Sequence, residues 1–331
     1  MKLAYVGSRN KLDAELVRPY DIPFYGIFAG KLRRYFSWRN FTDPFLVLLG
    51  FFQSLAIMAI FRPDVVFSKG GFVSLPVVFA AFITRRPIIL HESDSRMGLA
   101  NRIASKLAKK VCVAFPELIQ KKDHGSDHAP KLAPGAGEWS KVVLTGNPVR
   151  LNVLNGDSET GYRLTGLKPG KPIVLVWGGS QGAQQINEMV QKNFQKLKTH
   201  FQIIHITGAG KNIDIKDEDY CQFDYLDDGL KHIYAITDYV VGRAGANSIY
   251  EVALIRKPNI LVPLNNPDQL KNAAYFESAG ASLILGEGHD LADLLIALRN
   301  NPEQQKSMKE ALASVSKPGA ADEIADIILQ F

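Results

Sequence analysis

Cysteine is nearly absent: Cys112 and Cys221 are the only two in 331 residues, far apart and in no metal-ligand spacing. That scarcity argues against a disulfide framework or a zinc site. It suits a reducing compartment in which both thiols are buried. His124 and His128 lie in a stretch, Lys121–Ser140, rich in Gly, Pro and Lys and with no Cys partner, so a solvated surface loop is expected there rather than a metal centre. His91-Glu92 lacks the second His that an HExxH zinc motif requires. The opening MKLAYVGS has no apolar run of signal-peptide length and reads as a strand. No internal repeat, low-complexity tract or nucleic-acid recognition motif is found. Long apolar runs are scarce too. One extends from Phe45 to Phe61, and Gln53 and Ser54 interrupt it, so a buried or surface-lying helix is expected rather than a membrane span.

What is present is a chain of ordinary soluble composition, 46% hydrophobic and 22% charged, with a formal net charge of +6. The length predicts two domains, and the basic balance predicts an anionic partner: nucleic acid, acidic lipid or a phosphorylated substrate. Short runs rich in Val and Ile alternate with helical stretches. Lys2–Val6, Val65–Phe67, Ile88–Leu90, Val111–Ala114 and Val142–Thr145 read as strands in the first half. Ile173–Trp177, Gln202–Thr207, Tyr239–Val241, Asn259–Val262 and Ser282–Leu285 read as strands in the second. Gly98–Ala108, Ala183–Leu197, Ser248–Ala253 and Gln269–Ala279 read as helices between them. Repeated βα units with continuous apolar strands predict an α/β fold of doubly wound parallel sheets. A polar, Gly-rich break, LNGDSETGYRLTGLKPGKP, divides the chain into 1–148 and 149–317. Residues 318–331 read as an amphipathic helix with Ile324, Ile327, Ile328 and Phe331 on one face, expected to pack back on the first domain.

In doubly wound sheets ligands bind beyond the carboxyl ends of the strands, so the loops after strands carry the information. Trp177-Gly178-Gly179-Ser180-Gln181-Gly182-Ala183 follows a strand and opens a helix. Its glycines permit close backbone approach, and the helix start offers N–H groups and positive dipole to phosphate. Gly242-Arg243-Ala244-Gly245-Ala246-Asn247-Ser248 repeats the arrangement, and Glu251 just inside that helix can accept both hydroxyls of a ribose. A tight structural turn and a favourable first-turn charge are the plainer readings of these two loops. Two such loops in one domain favour a nucleotide. In the first half, Ser68-Lys69-Gly70-Gly71-Phe72 and His91-Glu92-Ser93-Asp94 follow strands, which places acid/base groups at a strand end; a polar strand terminus with a helix cap is the plainer reading of the second. Arg150, in Gly146-Asn147-Pro148-Val149-Arg150, offers a cation to a diphosphate, or else forms a surface ion pair.

The stretches RPDVVFSKGGFVSLPVV, HESDSRMGLANR, GNPVR, WGGSQGA, RAGANSIYE, and DQLKNA followed by AGAS occur in this order over nearly the whole chain. Together they resemble the MurG family, with HESD and SKGG of the Gram-positive type. That family moves N-acetylglucosamine from UDP-N-acetylglucosamine to the lipid-linked muramyl-pentapeptide, lipid I, making lipid II for peptidoglycan. The resemblance implies a GT-B fold, two Rossmann-like domains facing a cleft, and an inverting transfer that uses neither metal nor cofactor, the UDP-sugar being a substrate. It further implies that Ser180, with Gln181 beside it, and Arg150 contact the diphosphate. The backbone of Ala246, Asn247 and Ser248 lines diphosphate and sugar, Glu251 holds the ribose, Gln269 binds sugar hydroxyls, and Leu226 in DYLDD meets the uracil. Asp94 stands where other members carry Asn. His91, Glu92 and Asp94 are the candidates for the base. Family members also carry a strand and a GGTGGH loop ahead of the segment that starts here. A sheet without that unit is expected to lose a central strand, and a non-catalytic UDP-sugar-binding protein is then an alternative.

Lys31, Arg33, Arg34, Trp38 and Arg39 interleave with Tyr35, Phe36 and Phe41 ahead of the apolar run. Bases among aromatics suit the anionic inner-membrane surface, and the lipid-linked acceptor favours a peripheral protein on the cytoplasmic face of the membrane, with no nucleic-acid partner. A UDP-sugar 2-epimerase of the same architecture is the other enzyme class compatible with these motifs.

Overall fold

The computed structural model describes all residues except Met1, 31–38, 120–140 and 180–182, and gives the backbone alone for 11–12 and 39–42. The chain forms two compact units. The first comprises Met1–Ser93, Met97–Thr145 and Asp322–Phe331; the second comprises Asp94–Arg96 and Gly146–Ala321. The division thus falls just before the boundary expected at 148, and three residues of the HESDSR segment belong to the second unit.

In the first unit the strands are β1 (Tyr5–Ser8), β2 (Phe24–Ile27), β3 (Val66–Ser68), β4 (Ile88–Glu92), β5 (Lys110–Val113) and β6 (Val142–Leu144). The helices are α1 (Lys11–Val17), α2 (Arg39–Phe61), α3 (Ser74–Ile83) and α4 (Leu99–Ala104). Among the described residues the strands form two separate parallel sheets, β1-β2 and β3-β4-β5-β6. No pairing joins β1 to β3. Val66, Val78, Ile88, Leu90, Val111 and Val113 make the core under the larger sheet. β2 was not expected from the sequence: FYGI lies between Pro23 and a Phe-Ala-Gly stretch and is too short for its alternation to register. The helix expected over Gly98–Ala108 stops at Ala104.

The second unit contains β7 (Ile173–Trp177), β8 (Gln202–Ile206), β9 (Tyr220–Phe223), β10 (Tyr239–Gly242), β11 (Asn259–Leu261) and β12 (Leu283–Ile284). Its helices are α5 (Ser158–Thr165), α6 (Gln184–Leu197), α7 (Leu230–Ile236), α8 (Ala246–Ile255), α9 (Pro267–Ser278), α10 (Leu291–Arg299) and α11 (Pro302–Val315). The sheet runs β12-β11-β10-β7-β8-β9, parallel throughout. Its central strands β7 and β10 are apolar on both faces, as a buried parallel strand requires. The last helix, α12 (Ala320–Leu329), buries Ile324 and Ile327 against Ile89 and Cys112 of the first unit's sheet. Phe331 lies beyond the helix and is exposed.

Burial in that cluster pushes the Cys112 thiol up to about 11. Cys221 is only half-buried, which corrects the expectation of two buried thiols.

α2 is not a buried helix. Its face carrying Phe45, Leu48, Leu49, Phe52 and Ile60 is exposed, while Met58, Phe51 and Leu55 turn to the core. The two polar residues that break the apolar run sit on the packed side. Gln53 accepts a hydrogen bond from the Phe28 N–H at 2.8 Å, and the buried Ser54 hydroxyl donates to the Gly50 carbonyl.

α5 packs on α7 through glycines. A Cβ on Gly161 would lie 2.4 Å from the His232 carbonyl oxygen, and one on Gly156 would lie 1.9 Å from that of Lys231. Neither carbonyl belongs to a movable side chain, so the helices must separate. Gly156→Ala and Gly161→Ala are each expected to destabilise the protein by roughly 1–3 kcal/mol. Urea unfolding measures this, and an unchanged midpoint would contradict the close crossing.

Candidate functional site

The order of the six-stranded sheet reverses between β7 and β10: the chain adds β8 and β9 on one side and β11 and β12 on the other. Such a switch point opens a crevice at the strand carboxyl ends, because consecutive connections leave in opposite directions. Trp177 pairs with Gly242, so the two strands end side by side. The two glycine-rich segments leave from these ends. Gly179 has φ +87, a conformation that favours glycine. Ser180 and Gln181 lie outside the described residues.

Capping separates these helix starts from most others in the unit. α5, α9, α10 and α11 each have an Asp or Asn whose side chain accepts from the first-turn N–H groups. α6 begins after Ala183 and α8 after Gly245, and among the described residues neither receives a side-chain cap; the seven-residue α7 is uncapped as well. Among the described residues no side chain caps the first-turn N–H groups of α6 and α8, which suits them to an external acceptor with helix dipole behind them.

The start of α8 is fixed from two sides. Asn147, buried in the GNPVR segment, donates to Asn247 Oδ1 at 2.8 Å, and Asn272 on α9 donates to the Ala244 carbonyl at 3.1 Å. Asn272 also donates to Asp94 Oδ1 at 2.9 Å and accepts the Ser95 N–H at 2.9 Å. Asp94 is thus tied by an amide of the second unit, not left open. Asn147 and Asn272 had no expected role, although both lie in motifs that stand out in the sequence. An amide that anchors backbone has no spacing signature.

One turn into α8, Glu251 is 8% exposed. Its Oε2 accepts from the Tyr234 hydroxyl at 3.2 Å, and its Oε1 lies 3.7 Å from Arg150 Nε. Burial raises the Glu251 pKa, while the Arg150 charge and the Tyr234 hydrogen bond pull it down. Tyr234, on α7, was not foreseen. It is deeply buried, and burial together with the Glu251 charge pushes its phenol up strongly. Arg150 also pairs with exposed Asp227 at 2.7 Å, which is the ion-pair alternative raised by the sequence. Leu226 is half-buried and packs against the cluster containing Leu230 and Tyr234. Gln269, in the first turn of α9, folds back to accept the Leu264 N–H at 2.9 Å.

The remaining candidates lie in the first unit. His91 is fully buried at the end of β4. Glu92 Oε2 accepts the Gly98 N–H at 2.9 Å and the Asn101 amide at 3.0 Å, which secures the start of α4. Asn101 also lies under the SKGG turn, where a Cβ on Gly70 (φ +85) would meet its amide at 2.7 Å. Glu92 therefore has the structural task of a helix cap, the plainer of the two readings that its sequence context offered. No group of metal-ligating side chains occurs among the described residues.

Known proteins match this arrangement. Residues 1–113 match the glycosyltransferase family 28 N-terminal domain and residues 173–324 the C-terminal domain of the same family. The chain is 38% identical over 332 residues to a Legionella pneumophila (strain Lens) protein named UDP-N-acetylglucosamine--N-acetylmuramyl-(pentapeptide) pyrophosphoryl-undecaprenol N-acetylglucosamine transferase. That match covers 98% of this chain and 87% of the relative. The chain belongs to the MurG family of glycosyltransferases. A relative of the same name from Clostridium botulinum (strain Hall) is 43% identical over 293 residues, 86% of this chain and 78% of its own. The crystal structure of Acinetobacter baumannii MurG superposes with a TM-score of 0.68 at 22% identity, covering 100% of this chain and 91% of that one. The fold is therefore GT-B, and the MurG-family chain is a hexosyltransferase.

Beside the α6 start, a buried polar network closes the second unit. Asn187 donates to the carbonyls of Thr207 and Lys211, so its Oδ1 faces His205 Nε2 at 3.0 Å, and that nitrogen must carry the proton. His205 Nδ1 then accepts from the Tyr220 hydroxyl at 3.0 Å. Burial holds the fully enclosed imidazole down to about 4, against 6.5 when free. Between these values the unfolded chain binds the extra proton. Stability therefore falls as pH drops from about 6.5 to about 4, by about 3 kcal/mol. Denaturant unfolding across this range is expected to show that slope, and a His205→Gln variant a shallower one. Equal slopes would contradict the buried neutral imidazole.

Proposed function

We propose that the chain transfers N-acetylglucosamine from UDP-N-acetylglucosamine to a lipid-linked muramyl-pentapeptide, the reaction that the names of its relatives state for them. The observation that carries the donor side is the pair of uncapped helix starts at the β7/β10 switch point with a buried carboxylate one turn into α8. The α6 and α8 N–H groups, with Ser180, Gln181 and the backbone of Ala246, Asn247 and Ser248, hold diphosphate and sugar. Glu251 takes the ribose diol, Gln269 the sugar hydroxyls and Leu226 the uracil. Arg150 exchanges its exposed Asp227 partner for the diphosphate, an exchange that costs little at a solvated pair. The 2-epimerase reading is not favoured, because the relatives matched over most of the chain are named as transferases.

The chemistry is a direct displacement. The acceptor hydroxyl oxygen forms a bond to the anomeric carbon on the face opposite UDP, the bond from that carbon to the UDP oxygen breaks, and configuration inverts. Charge that develops on the leaving diphosphate is met by fixed N–H dipoles, which need no reorganisation during the reaction. The acceptor's proton passes to a base drawn from His91, Glu92 and Asp94, of which only Asp94 is not buried. No metal or cofactor enters this scheme.

Glu251→Ala is expected to weaken both UDP and uridine by about tenfold or more in calorimetry, since the ribose contact is common to both. Wild-type affinity for either would refute the ribose role.

The acceptor's lipid places the protein at the cytoplasmic face of the membrane, held peripherally. Support comes from the first unit. α2 contains a 19-residue apolar stretch, Asp43–Phe61, long enough to span a bilayer, yet it packs along α3. Phe45, Phe52 and Ile60 of α2 and Phe82 and Ile83 of α3 are all exposed. An exposed apolar surface of this kind suits the headgroup boundary of a bilayer. Of the basic residues ahead of it, 31–38 and the side chain of Arg39 lie outside the described residues. The double variant Phe52→Ser/Phe82→Ser is expected to lower co-sedimentation with anionic vesicles by about tenfold. Undiminished binding would remove these helices from the membrane contact.

A further inference from the structure

Arg243 is the last residue before the turn into α8, and it is 7% exposed. Its Nη1 donates to Gln185 Oε1 at 3.0 Å and to the Val262 carbonyl at 2.8 Å. Both partners are neutral, and among the described residues Nε makes no hydrogen bond. Four other basic side chains of the unit do pair with carboxylates: Arg150 with Asp227, Lys171 with Asp219, Lys196 with Asp293 and Lys198 with Asp217. Those four cations are far more exposed than Arg243, which is the unit's one buried guanidinium among the described residues and has no carboxylate partner there. Burial also pulls its pKa down, and no neighbouring carboxylate pulls it back.

The surroundings make this more costly. Gln185 is the second residue of α6, and α8 begins three residues after Arg243. Both helices direct their positive ends to this region, and among the described residues neither is capped by a side chain. A guanidinium and two helix dipoles of the same sign, packed together away from water, repel one another unless an anion is added. Among the described residues no carboxylate compensates that cost. We propose that Arg243 is the built-in counter-charge of a diphosphate held at the starts of α6 and α8. It acts as a positioning residue: its charge draws the diphosphate, and its hydrogen bonds to Gln185 and Val262 hold the two helix starts in register. This rests on the reading that the second unit binds a nucleoside diphosphate.

Binding of UDP and of uridine to the full chain, measured by calorimetry, separates the possibilities. The variants are Arg243→Gln, which can still donate to a carbonyl but carries no charge, and Arg243→Lys, which keeps the charge. Wild type is expected to prefer UDP to uridine. Arg243→Gln is expected to lose about tenfold or more in UDP affinity, to bind uridine within about twofold of wild type, and to show no drop in thermal midpoint. Arg243→Lys is expected to keep the UDP preference within about threefold. The proposal is overturned if Arg243→Gln retains the full preference for UDP, or if UDP and uridine weaken together, as they would from simple loss of structure. Should Arg243→Gln not fold, Arg243→Lys decides: a retained preference supports the counter-charge and a lost one overturns it. If wild type binds uridine as tightly as UDP, it is the diphosphate reading of the helix starts that fails, and Glu251→Ala still tests the ribose contact separately.

Discussion

The unsatisfied N–H groups at the start of α8 organise the second unit. A helix start without a side-chain cap must be held by something else, and here backbone and amide contacts do the holding: Asn147 to Asn247, Asn272 to the Ala244 carbonyl, and Arg243 to Val262 and Gln185. None of these side chains occupies the N–H groups themselves. The parallel sheet supplies the location, because β7 and β10 end side by side where the strand order reverses. The glycines supply the space for a ligand to approach. A substitution at either asparagine anchor would move the N–H groups without touching a ligand, which is why such positions are poor to recognise and costly to change.

Electrostatics in the same unit is divided between two environments. The exposed Arg150–Asp227 pair is solvated and easily rearranged. Glu251 is buried, its charge opposed by desolvation and supported by Tyr234 and by the more distant Arg150. A carboxylate in that setting is rigid and strongly polarising towards hydroxyl donors, whereas a carboxylate on the surface would be matched by water. The Glu92 carboxylate in the first unit is buried too, but its charge is already engaged by the Gly98 N–H and Asn101. Two buried glutamates at comparable helix starts therefore do different work, and their partners decide which.

Much of this was legible in the sequence where the signal is local. Parallel strands announced themselves as continuous Val/Ile runs, and Ile173–Trp177 begins and ends where expected. The two glycine-rich loops were visible because a strand, glycines and a helix occur in unbroken order. Short edge strands were not: FYGI and YCQF carry Gly or Gln and too few residues for a pattern. The side of α2 that packs was hidden because almost every residue on it is apolar, and only the contacts of Gln53 and Ser54 reveal it. Tyr234, Asn272 and Arg243 were hidden for another reason. Their importance comes from neighbours distant in sequence, and no spacing rule encodes that.

The placement of α12 has a consequence for how the protein is made. Ile89 and Cys112 are covered by Ile324 and Ile327, residues that leave the ribosome after the entire second unit. At ordinary rates of synthesis that interval is roughly ten to forty seconds. During it the early half carries an open apolar patch on its sheet, while the later half can close its own core from what is, apart from Asp94–Arg96, one run of chain. The oldest part of the nascent chain therefore keeps an apolar patch open until the second unit has been made.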